Sequence, residues 1–200
     1  MSADDSIPVR RVVKHFDPDH KIAKKTREKL LSTALYSLSS FKIRNWHFVV
    51  IEDSEQRKQI RKASWDQKQI TDASMLIILC TDLKAWEQES LHCWHPARES
   101  FHEFITPDLQ SHYSNLDQMQ RDEVMRSCGI AAEAIMLTAQ SLGYDSCPVD
   151  GFDFDTVAEL INLPENHAVC MFVAIGKSIG EALPLEDNLP MEEVVVTDTF

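Results

Sequence analysis

The chain has 200 residues, of which 44% are hydrophobic and 26% charged, and its formal net charge is −12. This length and composition are typical of a single soluble domain with a sizeable core. The negative charge argues against nucleic acid and anionic membranes as partners, because both bind basic surfaces. No apolar run approaches the ~20 residues that span a bilayer, and the first residues lack the charged-then-apolar order of a signal peptide. We therefore expect a cytoplasmic protein.

Basic residues are concentrated in the N-terminal third of the chain. Fourteen of the twenty Lys and Arg lie between Arg10 and Lys62, whereas six acids and no base follow position 180. Residues 9–18 (VRRVVKHFDP) group Arg10, Arg11 and Lys14 on a helical turn or an edge. Cations three and four residues apart share one face of a turn, and two arginines can hold a phosphate bidentately. The segment predicts an anion site, and solvated surface charge is the alternative interpretation.

Hydrophobic periodicity predicts a mixture of helices and strands without strict βαβ alternation, which is typical of an α+β fold. Residues 83–120 have no steady period, and we expect a helical excursion that covers a site as a lid. Helices are predicted over residues 21–36, 55–63, 121–142 and 154–161, and strands over 46–51, 75–80, 144–152 (a short strand and a turn), 168–175 and 194–196.

A polar hinge leads into the first buried strand within residues 37–51 (SLSSFKIRNWHFVVI). Lys42, Arg44 and Asn45 bring cations and donors together where a helix gives way to a strand. Such a junction suits an anionic, hydrogen-bonding ligand such as a cofactor. An ordinary polar loop is the alternative.

Several other chemical motifs are absent or weak. Five glycines and no phosphate-cradling loop argue against a dinucleotide fold or a P-loop, and there is no GxSxG sequence. Five cysteines, odd in number and without a CxxC pair, indicate reduced thiols. We expect no metal, because Pro96 interrupts the one stretch that groups potential ligands, which are His92, Cys93, His95 and His102.

Almost end to end, from Val9 to about Val196, the sequence resembles the FMN-dependent nitroreductases, in the subgroup of small homodimeric flavin enzymes. No single motif is unique, and the order and spacing of the motifs make the match specific. The motifs are RRVVKHFDP (10–18), SLSSFKIRNWHFVVIED (37–53), WDQKQITDAS (65–74), RDEVMRSCGIAAEAIMLTAQSLGYDSCPVDGFD (121–153) and VAIGK (173–177).

This resemblance implies one nitroreductase-like domain over residues 1–200, an α+β sandwich with a central, mostly antiparallel sheet flanked by helices. It implies a homodimer with two FMN sites at the subunit interface, and a C-terminal extension, residues 183–200, that embraces the partner subunit. The apolar helix 121–142 also suits a fold centre or a subunit interface.

The resemblance also implies which residues bind FMN. Arg10 and Arg11 would hold the phosphate, with Val12 in the same segment, and Lys14 would reach the flavin ring. The implied contacts elsewhere are Ser39, Ser40 and Lys42 from the partner subunit, Asp66 and Gln69 at the ring edge, and Pro148, Val149, Asp150 and Gly151 along the ring face.

Three features depart from the family pattern. Val12 stands where a hydroxyl residue is usual and cannot donate to phosphate. Lys42 and Arg44 replace the hinge amides of near relatives. The tail segment 182–190 (ALPLEDNLP) has Leu185, Glu186 and Asp187 where a basic residue often completes the phosphate site.

The expected function is an FMN-dependent oxidoreductase with a ping-pong cycle. NADH or NADPH would reduce the flavin and leave, and a nitroaromatic or quinone-like acceptor would then enter. Lys14, the expected catalytic residue, would stabilise negative charge on the reduced flavin. Two alternatives stay open: a flavin-binding protein without substantial turnover, and a cofactor-free interaction protein that kept the dimer fold.

Overall fold

A four-stranded antiparallel sheet forms the centre of the molecule. The computed structural model describes residue 7 and residues 10–39, 45–85, 117–180 and 189–200. The strands are β1 (Trp46–Ile51), β2 (Met75–Asp82), β3 (Asp145–Val149) and β4 (His167–Gly176), in the spatial order β1-β2-β4-β3. The helices are α1 (Lys24–Ala34), α2 (Ser54–Ala63), α3 (Gln69–Asp72), α4 (Asp117–Ser141), α5 (Phe154–Leu160) and α6 (Met191–Val194). The predicted α+β class, an antiparallel sheet flanked by helices, is confirmed.

The central strand β2 is buried on both faces, which explains its continuous apolar sequence MLIILC. Successive side chains of a strand point to opposite faces. Leu76 and Ile78 accordingly pack on one face with Ile60 of α2 and Val157 of α5. The other face packs against α1 and α4, through Met75, Ile77, Leu79, Leu30, Ala131 and Ile135. The molecule is therefore layered as helix, sheet and helix.

The helix α4 is 25 residues long and packs closely on the sheet through small side chains. Cys128, Ala131 and Ala139 are fully buried, whereas Ile130 on the opposite side is 47% exposed. The helix ends before Gly143, whose φ of 74° is favourable for glycine. The predicted helix over residues 121–142 is confirmed, and it begins four residues earlier than expected.

Two aspartates fix the starts of α2 and α5, the helices that pack on the face of the sheet opposite α4. The Asp53 carboxylate accepts a hydrogen bond from the backbone N–H of Gln56 at 2.7 Å, and Asp153 accepts one from Thr156 at 3.0 Å. These are N-caps, which satisfy donors that have no partner within the helix. The predicted helices 55–63 and 154–161 are thereby confirmed to within one residue at either end.

The N-terminal basic segment runs along the exposed edge of β3. Val12 forms a parallel bridge with Ser146, and the Val13 N–H donates to the Ser146 carbonyl at 3.2 Å. Phe16 is 1% exposed and packs against Gly176, where an added Cβ would lie 2.8 Å from its ring. Of the two expectations for this segment, the edge is correct and the helical turn is not.

The C-terminal strand expected over residues 194–196 is not formed. Residues 191–194 form the short helix α6, and every residue from 189 to 200 is exposed. Pro190 precedes the helix, and Glu192 and Glu193 lie in its first turn, where negative charge is favourable. A valine-rich stretch forms a strand only where a neighbouring strand offers hydrogen bonds, and the described residues offer it none.

Most of the expected lid, residues 86–116, lies outside the described residues, as do the metal candidates His92, Cys93, His95 and His102. Within the described ranges, no helix combines the length and hydrophobicity needed to cross a bilayer. In the same ranges, no group of three His, Cys, Asp or Glu residues is placed to hold a metal ion.

Candidate functional site

The basic residues of the first segment lie at the surface next to β3. Arg10 forms an ion pair with Glu133 of α4, with 3.6 Å between Nε and Oε1. The Arg11 guanidinium donates to the Arg10 carbonyl at 3.0 Å. Lys14 is exposed. The bridge between Val12 and Ser146 therefore fixes the backbone of this segment and leaves the cations at its outer side.

A strained turn follows α2. Trp65 and Asp66 have φ values of 51° and 58°, two successive left-handed residues without a glycine. Each costs about 1–2 kcal/mol relative to an ordinary conformation. The Ser64 hydroxyl donates to the Ile60 carbonyl at 2.7 Å, and Arg61 donates through Nε to Asp66 at 2.8 Å. These bonds hold Asp66, an expected flavin contact, in a defined position.

Two glutamine amides join this turn to the end of β3. Gln67 donates through Nε2 to the Gly151 carbonyl at 2.8 Å. Gln69 is buried, and it donates through Nε2 to Gln67 at 2.7 Å. The two segments are 84 positions apart in sequence from Gln67 to Gly151, so the contact is tertiary. Asp66 and Gln69 are thus brought next to the strand end that carries Pro148–Gly151.

The Cys147 thiol connects this arrangement to the basic segment. Burial raises the pKa of Cys147 to about 11, and the nearby Lys14 charge and a hydrogen bond with Gln69 offset only part of that effect. The charge of Lys14 and the amide of Gln69 thus both act on one thiol of β3. The thiol is protonated at neutral pH and is a poor nucleophile there.

The last residues of β3 and the turn after it differ in exposure. Pro148 and Gly151 are half-buried and Asp150 is exposed. Val149 is 2% exposed and packs in the core, so its side chain is not available to a ligand. An added Cβ at Gly151 would lie 2.4 Å from Cζ3 of Trp65, so the indole rests directly on this glycine.

Three of the four expected cofactor segments therefore converge: residues 10–14, 65–69 and 147–151. The hinge is different. Ser39 is half-buried beyond the end of α1, and within the described ranges no hydrogen bond links it to the other three segments. Ser40 and Lys42 lie outside the described residues.

Three residues of this region were missed by the sequence analysis: Arg61, Trp65 and Gln67. Trp65 and Gln67 both belong to the WDQKQ motif at residues 65–69. A tryptophan within a polar stretch could have indicated that Trp65 has a functional role. Arg61 gave no signal, because its ion pair with Asp66 depends on the left-handed turn between them.

Four cysteines lie in the described part of the chain, and all four are free thiols. Burial raises the pKa of Cys80 to about 12. A hydrogen bond with the Cys128 thiol, together with burial, raises the pKa of Cys170. Thiols in such surroundings are structural rather than reactive.

Comparisons with known proteins agree on one family. The Nitroreductase family model matches residues 7–177. The protein DrgA from Synechocystis sp. is 41% identical over 182 residues, which cover 91% of this chain and 87% of DrgA. YodC from Bacillus subtilis, which carries a provisional name as an NAD(P)H nitroreductase, is 26% identical over 95% of this chain and 96% of its own.

Solved structures share the fold over nearly the whole chain. The structure of ydfN from Bacillus subtilis has a TM-score of 0.87 at 25% identity and covers 96% of this chain and 97% of its own. An Exiguobacterium sibiricum protein solved in complex with FMN has a TM-score of 0.84 at 23% identity, over 98% and 97% of the two chains. The chain belongs to the Nitroreductase family of oxidoreductases.

Proposed function

We propose that this protein is an FMN-dependent NAD(P)H oxidoreductase that reduces nitroaromatic or quinone-like acceptors. One observation supports this most strongly: β3 and the turn after it contact both other segments, because Val12 bridges Ser146 near the start of the strand and the Gln67 amide joins the strained turn to Gly151 just past its end. This places the half-buried Arg10 and Arg11, the exposed Lys14 and the buried Gln69 amide along one strand, as a flat ligand with a phosphate tail requires.

The donor set fits FMN. The phosphate is dianionic, and Arg10, Arg11 and Lys14 concentrate positive charge in a chain whose net charge is −12. The ion pair of Arg10 with Glu133 is long, at 3.6 Å, and partly exposed, so its partner can be exchanged for a phosphate at little cost. The Val12 side chain adds no hydrogen-bond donor to the phosphate, and Arg10 and Arg11 supply the donors instead.

The remaining residues orient the ring and set the charge around it. Asp66 is held by Arg61 at the proposed ring edge, and Gln69 is held by Gln67 beside it. Lys14 supplies positive charge near Cys147, beside the strand along which the ring would lie. When bound, FMN itself supplies the hydride chemistry. The protein binds and orients the cofactor and keeps water away from it.

The names of similar proteins support the same assignment. YodC is named as an NAD(P)H nitroreductase, and the Exiguobacterium sibiricum structure contains FMN. We extend the donor and the cofactor to this chain as part of the proposal. We also propose that Ser39, Ser40 and Lys42 of each subunit contact the FMN of the partner subunit in a homodimer.

Exposed apolar side chains support the homodimer. Ile130 on the outer side of α4 is 47% exposed, and the C-terminal residues Leu189 and Met191 are 68% and 73% exposed. A monomer gains nothing by exposing such side chains, whereas a partner subunit would bury them. We propose that α4 contributes to the interface and that the C-terminal segment embraces the partner.

An absorbance spectrum of the purified protein and a titration with FMN test this function. We expect flavin bands with one FMN per chain, and an affinity at least about tenfold lower in the double variant Arg10→Ala/Arg11→Ala, because charge-assisted bonds contribute ~1.5–3 kcal/mol each. The control Lys24→Ala/Lys25→Ala removes the same charge from the exposed face of α1 and should bind FMN normally.

The activity itself is measured as oxidation of NADH or NADPH with a quinone or a nitroaromatic acceptor. A colourless protein that ignores added FMN contradicts the cofactor assignment. A yellow protein without turnover contradicts the enzyme assignment and leaves a flavin-binding protein. Equal FMN affinity in wild type and the double arginine variant contradicts the phosphate assignment alone.

A further inference from the structure

An open groove lies beside the proposed cofactor site, between the end of α2 and the start of α5. Its volume is about 510 Å³, and its lining includes Gln59, Lys62, Trp65, Asp153 and Thr156. Ligand pockets have volumes of about 300–1,000 Å³, so the groove is large enough for a nucleotide. None of these five residues is among the expected FMN contacts.

Trp65 forms the wall that the groove shares with the cofactor site. Its six-membered ring rests on Gly151, and the side chain is nevertheless 78% exposed. The residue keeps a strained left-handed backbone, which Arg61 and Ser64 stabilise through the turn. Folding alone gives no reason to hold a large aromatic ring in solvent in this way. Strained backbone of this kind concentrates where residues contact ligands.

The polar groups of the groove suit a ligand with a phosphate and hydroxyl groups. Lys62 is exposed and has no ion-pair partner among the residues that the structure describes. The Asp153 carboxylate accepts a hydrogen bond from the Thr156 N–H. Hydrogen bonds from the backbone and side chain of Thr156, with a smaller one from the Asp155 backbone, keep the pKa of Asp153 below its ordinary value, so the residue is ionised at neutral pH and can accept from a hydroxyl group.

We propose that this groove binds the adenosine diphosphate half of the nicotinamide dinucleotide donor. Adenine stacks on Trp65, a phosphate contacts Lys62, and a ribose hydroxyl donates to Asp153. The contact of Trp65 with Gly151 places the groove directly beside the site that takes the nicotinamide end. This inference rests on the proposed function, because that function supplies the donor.

The chemistry distinguishes this ligand from the acceptor. A nitroaromatic or a quinone also has a flat ring that can stack on Trp65, but it has neither a phosphate for Lys62 nor ribose hydroxyl groups for Asp153. All three groups line one groove, and only the dinucleotide uses all three. The experiment must therefore distinguish binding of the dinucleotide from binding of an acceptor ring in the same groove.

The first experiment is a calorimetric titration of adenosine diphosphate into the full-length protein saturated with FMN, which keeps the nucleotide out of the cofactor's phosphate site. We expect binding by wild type, at least about fivefold weaker binding by Trp65→Ala because base stacking is lost, and nearly normal binding by Trp65→Phe. Lys62→Ala should also bind more weakly. The matched control is Lys58→Ala, one turn earlier on α2 and outside the groove lining.

The second experiment compares two donors in rapid-reaction measurements of flavin reduction: NADH, and reduced nicotinamide mononucleotide, which lacks the adenosine half. Between wild type and Trp65→Ala, we expect kcat/KM to fall at least about fivefold more with NADH than with the mononucleotide. The rate of reoxidation by the acceptor should change no more than the rate with the mononucleotide.

Three results overturn the inference: no binding of adenosine diphosphate by wild type, equal losses with both donors, or a loss confined to the acceptor step, which would place the acceptor ring on Trp65. Failure of the proposed function is recognised separately, by absent FMN binding. In that case the titration is made without FMN, and a difference between Trp65→Ala and Trp65→Phe still decides whether the groove binds the nucleotide.

Discussion

The indole of Trp65 lies against the α-carbon of Gly151. An added Cβ on this glycine would approach Cζ3, Cε3 and Cη2 of the ring to 2.4, 3.0 and 3.1 Å. Real Cβ atoms are not found at the shortest of these distances. Position 151 therefore accepts no side chain unless the tryptophan moves, and the two residues are coupled although they lie in different parts of the sequence.

The first prediction concerns this contact. Gly151→Ala should displace the exposed indole and destabilise the protein by about 1–2 kcal/mol, the usual cost of a forced contact that can partly relax. Urea denaturation measures the loss, and tryptophan fluorescence reports the displacement. In the Trp65→Ala background the same substitution should cost almost nothing, because the clash is gone. An equal cost in both backgrounds would contradict the coupling.

The second prediction concerns Arg57, which joins three elements. Its guanidinium donates from α2 to the Ile51 carbonyl at the end of β1, at 2.9 Å, and to the Ala73 carbonyl just before β2. Arg57→Ala should lower the free energy of unfolding by about 1.5–3 kcal/mol, because both carbonyls lose a charged donor. The neighbouring Lys58 has only an exposed pair with Glu55.

Denaturation of Arg57→Ala and Lys58→Ala under identical conditions tests this role. The lysine variant should change the free energy of unfolding by less than about 0.5 kcal/mol. Similar losses in the two variants would show that helix charge, and not the carbonyl contacts, accounts for the effect. Arg57→Lys should recover little stability, because one ammonium group cannot reach both carbonyls with the guanidinium geometry.

The third prediction concerns stability in acid. The hydrogen bond from the Thr156 N–H lowers the pKa of Asp153 below its ordinary value of 3.8. The unfolded chain then binds the proton more readily than the folded protein. The stabilisation is therefore complete above pH 3.8 and is lost as pH falls through the folded-state pKa.

Asp153→Asn tests the sign of this effect, because asparagine also caps helices but does not titrate. The stability difference between wild type and the variant should shrink as pH falls from about 7 to about 3, measured by urea denaturation at each pH. A difference that is independent of pH would show that the carboxylate charge contributes nothing through this cap.

The fourth prediction concerns the C-terminal segment. Residues 189–200 are exposed throughout, and Leu189, Met191 and Val194 are each more than half exposed. A chain that ends at residue 188 should form a dimer at least about tenfold weaker than the full chain, because these apolar side chains would lose the partner surface. Sedimentation over a range of concentrations measures this. An unchanged dimer would contradict the proposal that this segment embraces the partner.

Much of the fold was predictable because local and tertiary preferences agree. The apolar runs at 46–51, 75–80 and 168–175 are short, rich in β-branched residues and bounded by polar residues, and each forms a strand of the sheet. Asp53 and Gly143 mark helix ends through simple backbone chemistry. Val194–Val196 has the same local preference, but no strand among the described residues pairs with it.

The candidate site was less predictable from residues alone. The family resemblance pointed to the segments 10–14, 65–69 and 147–151, but periodicity could not have predicted that the first two lie against β3 and the turn after it. The turn at Trp65 and Asp66 runs against intrinsic backbone preference. It depends on Arg61 and on a glycine far along the chain, so only the folded structure reveals that Trp65 contacts Gly151 of the proposed cofactor site and also lines the groove.

The pairing of Val12 and Val13 with Ser146 has a consequence beyond ligand binding. A strand at the border of a sheet exposes hydrogen-bonding groups that can recruit a strand from another molecule and start aggregation. Here the basic N-terminal segment covers the border strand β3. Its cations also repel an identical approaching segment. The residues proposed to hold the cofactor thus protect this border of the sheet against self-association.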